Sequence, residues 1–282
     1  MVQNYTISGV NSLPQNLAAN TIYVLSSWNY ITNDQILYGW NCIAVIGRWI
    51  VKIYSNSWSI AAIIKSTARE NIILSDVKID GLGDWLWGIR YDWNYASGTS
   101  YWIYFYTTKN SNINSVSVYN NKYWMQIEKN ENTVITNSLA YNNSAYWITL
   151  LTNTLPNYIH NTQVFNNNNV WFNISNSTWQ ILSNSQFYNN KFQWIVLNNA
   201  KNSIISNCMS YNNSRYWIRF QSNSSNNIIN NSRFFNNSNT WAFLESWAGN
   251  KFYGSIKLFN NASSSSANTL VWGISAWAAW DA

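Results

Sequence analysis

The chain has 282 residues, of which 47% are apolar and only 9% charged, with two prolines and heavy use of asparagine, serine and aromatic residues. Such a profile supplies a core, excludes a disordered chain and points to an all-β or repeat protein rather than a helical one. The formal net charge of +6 arises from 16 basic residues scattered without a basic run, which favours acidic partners such as anionic polysaccharide or cell envelope over nucleic acid.

In chain order, the N-terminal MVQNYTISGVNSLPQ has neither the basic nor the apolar part of a secretion signal. No apolar run reaches the roughly 18 residues of a membrane span. Short β-segments follow in NCIAVIG, IVKIYSN and NIILSDVKIDG, between Asn41 and Gly81. Cys42 and Cys208 are far apart and outside any CxxC pair, so both are expected to be buried thiols. Asp76, Asp80 and Asp84 lack a metal-ligand spacing, and Asp80-Gly81 reads as a turn. No metal and no cofactor is expected.

A strict period then takes over. Trp102, Trp124, Trp147, Trp171, Trp194, Trp217 and Trp241 are separated by 22, 23, 24, 23, 23 and 24 residues. In phase with them, an aromatic residue is followed by two asparagines, the first of each pair being Asn120, Asn142, Asn166, Asn189, Asn212, Asn236 and Asn260. Apolar residues sit one and three places after the tryptophan, as in Ile148 and Leu150, the alternation of a strand with one buried face. A second apolar patch holds Ile113, Ile135, Ile159, Leu182, Ile205, Ile228 and Phe252, and a third precedes Asn-Asn. Each repeat thus predicts three short strands joined by Asn/Ser turns. A lone coil cannot offset the roughly 1–2 kcal/mol per residue of its ordering, so coils must stack in register. Asparagine suits the turns because it tolerates left-handed geometry and its amides can bond coil to coil. His160, the one histidine, falls on a second strand or turn without a Ser or Cys partner in sequence and is expected to be structural.

The Asn-rich turns and the Tyr-Asn-Asn-x-x-Tyr-Trp-Ile motif, as at Tyr141–Ile148, resemble the repeats of right-handed parallel β-helices of the pectate-lyase-like superfold, including NosD-like, carbohydrate-binding and sugar-hydrolase families. The resemblance implies an all-β, single-stranded right-handed parallel β-helix of about 22–24 residues per coil and roughly nine or ten coils. Residues 1–25 are expected to form an N-terminal cap, residues 26–262 the β-helix with regular coils over 101–262, and residues 263–282 a tail or linker that probes no coil pattern and leads into further sequence. The resemblance is specific for fold and poorly specific for function.

Where the resembling repeats carry glycine, as YGI, this sequence carries tryptophan in every regular coil. An aromatic platform for sugar rings, a buried packing ladder, and glycine written as tryptophan through a UGA codon are the three explanations. The third is adopted: if the slot requires a positive φ, each L-residue there costs roughly 1–2 kcal/mol.

Enzymes of this superfold work on the outward face of the first strand. There the apolar alignment places Arg90, Tyr104, Gln126 and Arg219 in one row and Lys65, Asp92, Tyr106 and Glu128 in its neighbour. Lys65 and Arg90 would hold a uronate carboxylate while Asp92, Tyr106 or Glu128 serves as acid or base, and Tyr104, Gln126 and Arg219 are candidate ligand contacts. No carboxylate-pair, Gly-His-Gly or Arg-x-x-Arg signature is present. The expected function is therefore a non-catalytic, secreted or surface β-helix domain, adhesive or polysaccharide-contacting, monomeric or part of a longer multidomain chain. The alternative is a polysaccharide lyase, epimerase or hydrolase.

Overall fold

The computed structural model describes residues 3–7, 16–25, 29–32, 36–38, 42–55, 62–80, 101–119, 123–143, 148–168, 172–191, 195–214, 218–238, 242–244 and 249–259. Among them there is no helix, and the strands pair in parallel. Three strands make one coil, as in Ile195–Asn198, Ile204–Ser206 and Met209–Tyr211. Each strand lies on its equivalent one repeat later: Phe172 on Ile195, Ile195 on Ile218. The chain is a parallel β-solenoid.

Period-two patterning selects the inward face. In Ile148–Leu151 the first and third residues are buried, while Thr149 and Leu151 are half-exposed. Repeated rung by rung, this gives an apolar column containing the wholly buried Phe105, Phe172, Phe187, Phe220 and Phe234. Full burial of each such side chain contributes roughly 1.5–3 kcal/mol. One expectation is corrected in the second-strand row: Ile205 stacks on Ile229, which is buried, and the neighbouring Ile228 points outward.

The first strands of successive coils build a nine-stranded sheet. Strictly repeating coils begin only at Tyr101, so the uniform solenoid is shorter than the nine or ten coils expected. Before it, the long strand Ile43–Ser55 pairs with Ile72–Asp80 across a register shift between Ile46 and Val51. Ile72–Asp80 in turn pairs with both Asn112–Asn114 and Ser117–Tyr119. One strand thus becomes two at the left-handed Ser115, φ 52°. Parallel pairing already joins Gln3–Ile7 to Thr21–Leu25, within the segment expected to cap the solenoid.

Corners turn through left-handed residues. The coil from Ile195 turns at Asn199, Asn202, Asn207 and Asn212, with φ between 49° and 56°. Asparagine dominates these positions because its short amide compensates locally for the left-handed backbone. The Asn-Asn motif divides its labour. The first member (Asn142, Asn166, Asn189, Asn212, Asn236) is the exposed corner, with φ of 53–57°; Asn120 and Asn260 lie outside the described residues. The second (Asn143, Asn167, Asn190, Asn213, Asn237) is buried and hydrogen-bonded from coil to coil. The preceding aromatic forms a stack in which Tyr119, Tyr141, Phe165, Tyr188, Tyr211 and Phe235 follow at centroid distances of 4.9–5.1 Å, within 8° of parallel.

The two cysteines are free. Cys208 is buried among the corner hydroxyls, one coil from Ser185 and Ser232. Cys42 is exposed, contrary to expectation, because it occupies a left-handed corner, φ 57°, which turns its side chain away from the core.

Candidate functional site

Two rows run along the outer side of the first-strand sheet, in which Gln126, Val196 and Ser175 are buried. Backbone register aligns Lys65, Tyr104, Gln126, Thr149, Asn173, Val196 and Arg219 in one. The other contains Thr67, Tyr106, Glu128, Leu151, Ser175, Asn198 and Gln221. Lys65 therefore belongs beside Tyr104 and not, as the sequence alignment had it, beside Tyr106. Ile64 and Ser66 are the inward residues of its strand, and a buried serine in the position of Phe105 obscures the apolar phase.

Glu128 is the centre of the cluster that the solenoid assembles. Tyr104 Oη donates to Glu128 Oε2 at 3.1 Å across one coil, and Gln126 Nε2 donates to the same oxygen at 2.7 Å. Gln126 is only 8% exposed, so its amide is fixed and in turn fixes the carboxylate. Beside it, Lys129 Nζ donates to Tyr106 Oη at 3.0 Å and stands 5.1 Å from the centroid of that ring. This hydrogen bond, with the electrostatic pull of the same oxygen, holds Lys129 above the ordinary lysine range. The Tyr104 and Tyr106 rings lie 6.2 Å apart.

Tyr104, Tyr106, Gln126 and Glu128 are thus brought together, with Lys65 one strand away. Arg219 is not: four strand spacings, roughly 19 Å, separate it from Gln126. Arg90 and Asp92 lie outside the described residues, as do the side chains of Trp102 and Trp124 and the whole of Trp147, Trp171, Trp194, Trp217 and Trp241. The backbone at 102 and 124 belongs to the strands Tyr101–Tyr106 and Tyr123–Glu128 and has no positive φ, so the left-handed slot assumed from sequence is corrected at these two positions: an L-residue there carries no backbone strain. Lys129 was missed from sequence because it follows the strand as a left-handed corner, φ 53°, where the period-two pattern stops.

Chemically, the arrangement presents an oriented acceptor in Glu128, neutral polar groups in Tyr104, Gln126, Thr149 and Asn173, and cations at Lys65, Lys129 and Arg219. Among the described residues of the two rows, Glu128 is the one carboxylate, whereas glycoside hydrolysis ordinarily uses two flanking the scissile bond. No group of three or more metal-ligating side chains occurs among the described residues. Elsewhere, Lys109 and Glu131 form an exposed 3.1 Å ion pair of little energetic weight. His160 Nδ1 accepts from Asn184 Nδ2 at 3.2 Å and lies 3.0 Å from Ser183 Oγ, bonds that join the outer rims of two coils. No helix among the described residues is long and apolar enough to cross a membrane.

No family model and no curated protein matches this sequence. Solved structures do. DFA-IIIase from Arthrobacter chlorophenolicus A6, in complex with GF2, superposes with a TM-score of 0.58 at 13% identity, over 78% of this chain and 61% of its own. The enzymatically active domain of bacteriophage CBA120 tailspike protein 2 gives 0.60 at 16% identity, over 82% and 38%. Geobacillus virus E2 ORF18 gives 0.52 at 12% identity, over 89% and 56%. The fold is that of the right-handed parallel β-helix proteins. This chain spans less than two thirds of the length of each of these relatives.

Proposed function

We propose that this chain is a polysaccharide-contacting β-helix domain, secreted or displayed at the cell surface, that binds an anionic glycan along the outward first-strand face without cleaving it. The observation that carries the reading is the Tyr104–Gln126–Glu128 cluster: one carboxylate, oriented by two neutral donors and set among mostly uncharged side chains. Such groups exchange hydrogen bonds with sugar hydroxyls. The cations Lys65, Lys129 and Arg219 outnumber that carboxylate on the described face, which favours an acidic polymer. A glycan lying along the solenoid axis would meet one rung after another, and the same face is continuous across the coils.

A second reading is a polysaccharide lyase, epimerase or hydrolase. It is favoured by the fixed orientation of Glu128 beside the Tyr106–Lys129 pair, and by the enzymes among proteins of the same fold. In that reading Arg90 and Asp92, which lie outside the described residues, are further candidates named from the sequence.

Titration calorimetry with uronate polymers and isolated envelope glycans separates the two. Binding without turnover, abolished in Glu128→Ala and Tyr104→Phe at unchanged thermal midpoint, supports the first. Turnover that disappears in Asp92→Ala, Tyr106→Phe or Glu128→Ala establishes the second, and unaltered binding in Glu128→Ala rejects this face as the site.

A further inference from the structure

The corner between the first and second strands is left-handed at Asn110, Asn132, Trp179, Asn202, Asn226 and Gly249, with φ of 50°, 51°, 62°, 54°, 55° and 69°; the rung between Asn132 and Trp179 departs from it, with Pro156 in that place and no left-handed residue. The backbone engagement is shared: Asn110 N–H donates to Glu131 O, Trp179 N–H to Lys201 O and Asn202 N–H to Ser225 O, at 3.0–3.1 Å. Asparagine and glycine are the residues that tolerate this conformation, whereas a bulky side chain there is an outlier. Trp179 has no compensation from burial, since it is 53% exposed. Its indole neither fills the core nor replaces the local amide of the asparagines above it. Two rungs beyond Asn202 the same corner is glycine, at Gly249, where an added Cβ would collide with Asn226 Oδ1.

The sequence shows the same substitution in another place, the recurring Tyr-Trp-Ile slot. At positions 102 and 124 of that slot the backbone is an ordinary strand, so the repeat pattern, and not backbone strain, marks the residue. A single cause accounts for both. Some genetic codes read UGA as tryptophan and others as glycine, so a gene translated with the wrong table acquires tryptophan wherever its source places glycine. We propose that position 179 is glycine in the protein as its source makes it, encoded by UGA, and that UGA-encoded positions in the recurring slot are glycine by the same rule. This inference does not rest on the glycan-binding reading. It bears on that reading directly, because glycine brings no side chain to the strand positions two residues before Tyr104 and Gln126, and binding must then be measured on the glycine-bearing chain.

The test begins with the codon at position 179 and the mass of the native protein. Cleavage after Lys129 and Lys191 releases one peptide containing Trp147, Trp171 and Trp179. The expected results are UGA at 179 and a native peptide in which each UGA codon exchanges one indolylmethyl group for a hydrogen, with the corresponding loss of mass. A UGG codon at 179, or a native peptide with the full tryptophan mass, overturns the proposal. Independently, Trp179→Gly in the recombinant chain should raise the folding equilibrium constant by up to roughly tenfold, through relief of the left-handed strain. An unchanged or lowered constant would remove the strain argument. Should the peptide carry glycine while the glycine-bearing chain binds no glycan, the decoding stands and the functional reading falls.

Discussion

Asn190 Oδ1 accepts two hydrogen bonds from Asn167, one from its backbone N–H at 2.8 Å and one from its side-chain amide at 3.1 Å. Both residues are buried, so this oxygen satisfies donors that water cannot reach. Asn190→Ala should therefore destabilise the chain by about 1–3 kcal/mol, the cost of one unsatisfied buried polar group, because it orphans the Asn167 backbone N–H while the Asn167 amide keeps Ala140 O and Phe165 O as acceptors. Asn189→Gly, at the adjacent exposed corner with φ 56°, should change stability by only a few tenths to about 1 kcal/mol. Urea unfolding of the pair measures the contrast, and equal effects would contradict the division of labour within the motif.

The aromatic stack makes a separate prediction. Tyr188 stacks on Phe165 below and Tyr211 above, each at 5.0 Å. Phenylalanine already serves at two rungs of the stack, so Tyr188→Phe should be nearly neutral. Tyr188→Ser should cost about 1–3 kcal/mol from two lost ring pairs alone, with lost burial added. A double substitution with Tyr211 should then be less than additive, which a thermodynamic cycle reads out.

Burial pushes the Cys208 thiol up to about 12 from an ordinary value of 9.0. A thiol whose pKa is higher folded than unfolded keeps its proton longer in the native state. Its contribution is complete below pH 9 and is lost as pH rises from 9 toward 12, with a slope of about 1.4 kcal/mol per pH unit. Cys208→Ser, which places the hydroxyl found at Ser185 and Ser232 in the same corner, should remove that slope while leaving neutral-pH stability within about 1–2 kcal/mol. Unfolding free energies of the two chains between pH 8 and pH 11, buffered at about one-unit intervals, compare them directly.

Lys65 is half-exposed, and Lys129 and Arg219 carry the remaining cations of the described face. Lys65→Ala should leave the thermal midpoint unchanged within error, because surface substitutions of this kind alter stability by about 0.5 kcal/mol or less. If an anionic glycan occupies the face, affinity should fall several-fold in Lys65→Ala and decrease with added salt. A glycan affinity insensitive to both would point to a neutral ligand.

The sequence carried the fold because stacking makes identical positions meet, so a 23-residue spacing and an inward Ile-x-Leu are read directly as a rung. It failed where one rung breaks the chemical pattern while keeping the geometric one. Ser66 is buried in a position that Phe105 fills one coil later, and the displaced phase moved Lys65 into the wrong row. Adjacent isoleucines at 228 and 229 offered two phases, and only the stacking on Ile205 chooses between them. Cys42 and Lys129 sit at left-handed corners, where side-chain direction follows φ rather than alternation. The cluster around Glu128 was legible as a face but not as bonds, since Tyr104 and Glu128 are 24 residues apart and meet only through the register.

That register also governs how such a chain can change in length. Removing one residue from the strand Phe172–Ser175 would reverse which side chains after the break face inward, because alternation has a period of two. Removing the 23 residues from Phe172 to the residue before Ile195 would seat Ile195 directly on Ile148, isoleucine on isoleucine, and leave the later ladders in phase. Length in this architecture is therefore quantised: whole coils are interchangeable parts, and the outward face can be lengthened or shortened by duplication or loss without redesigning the core.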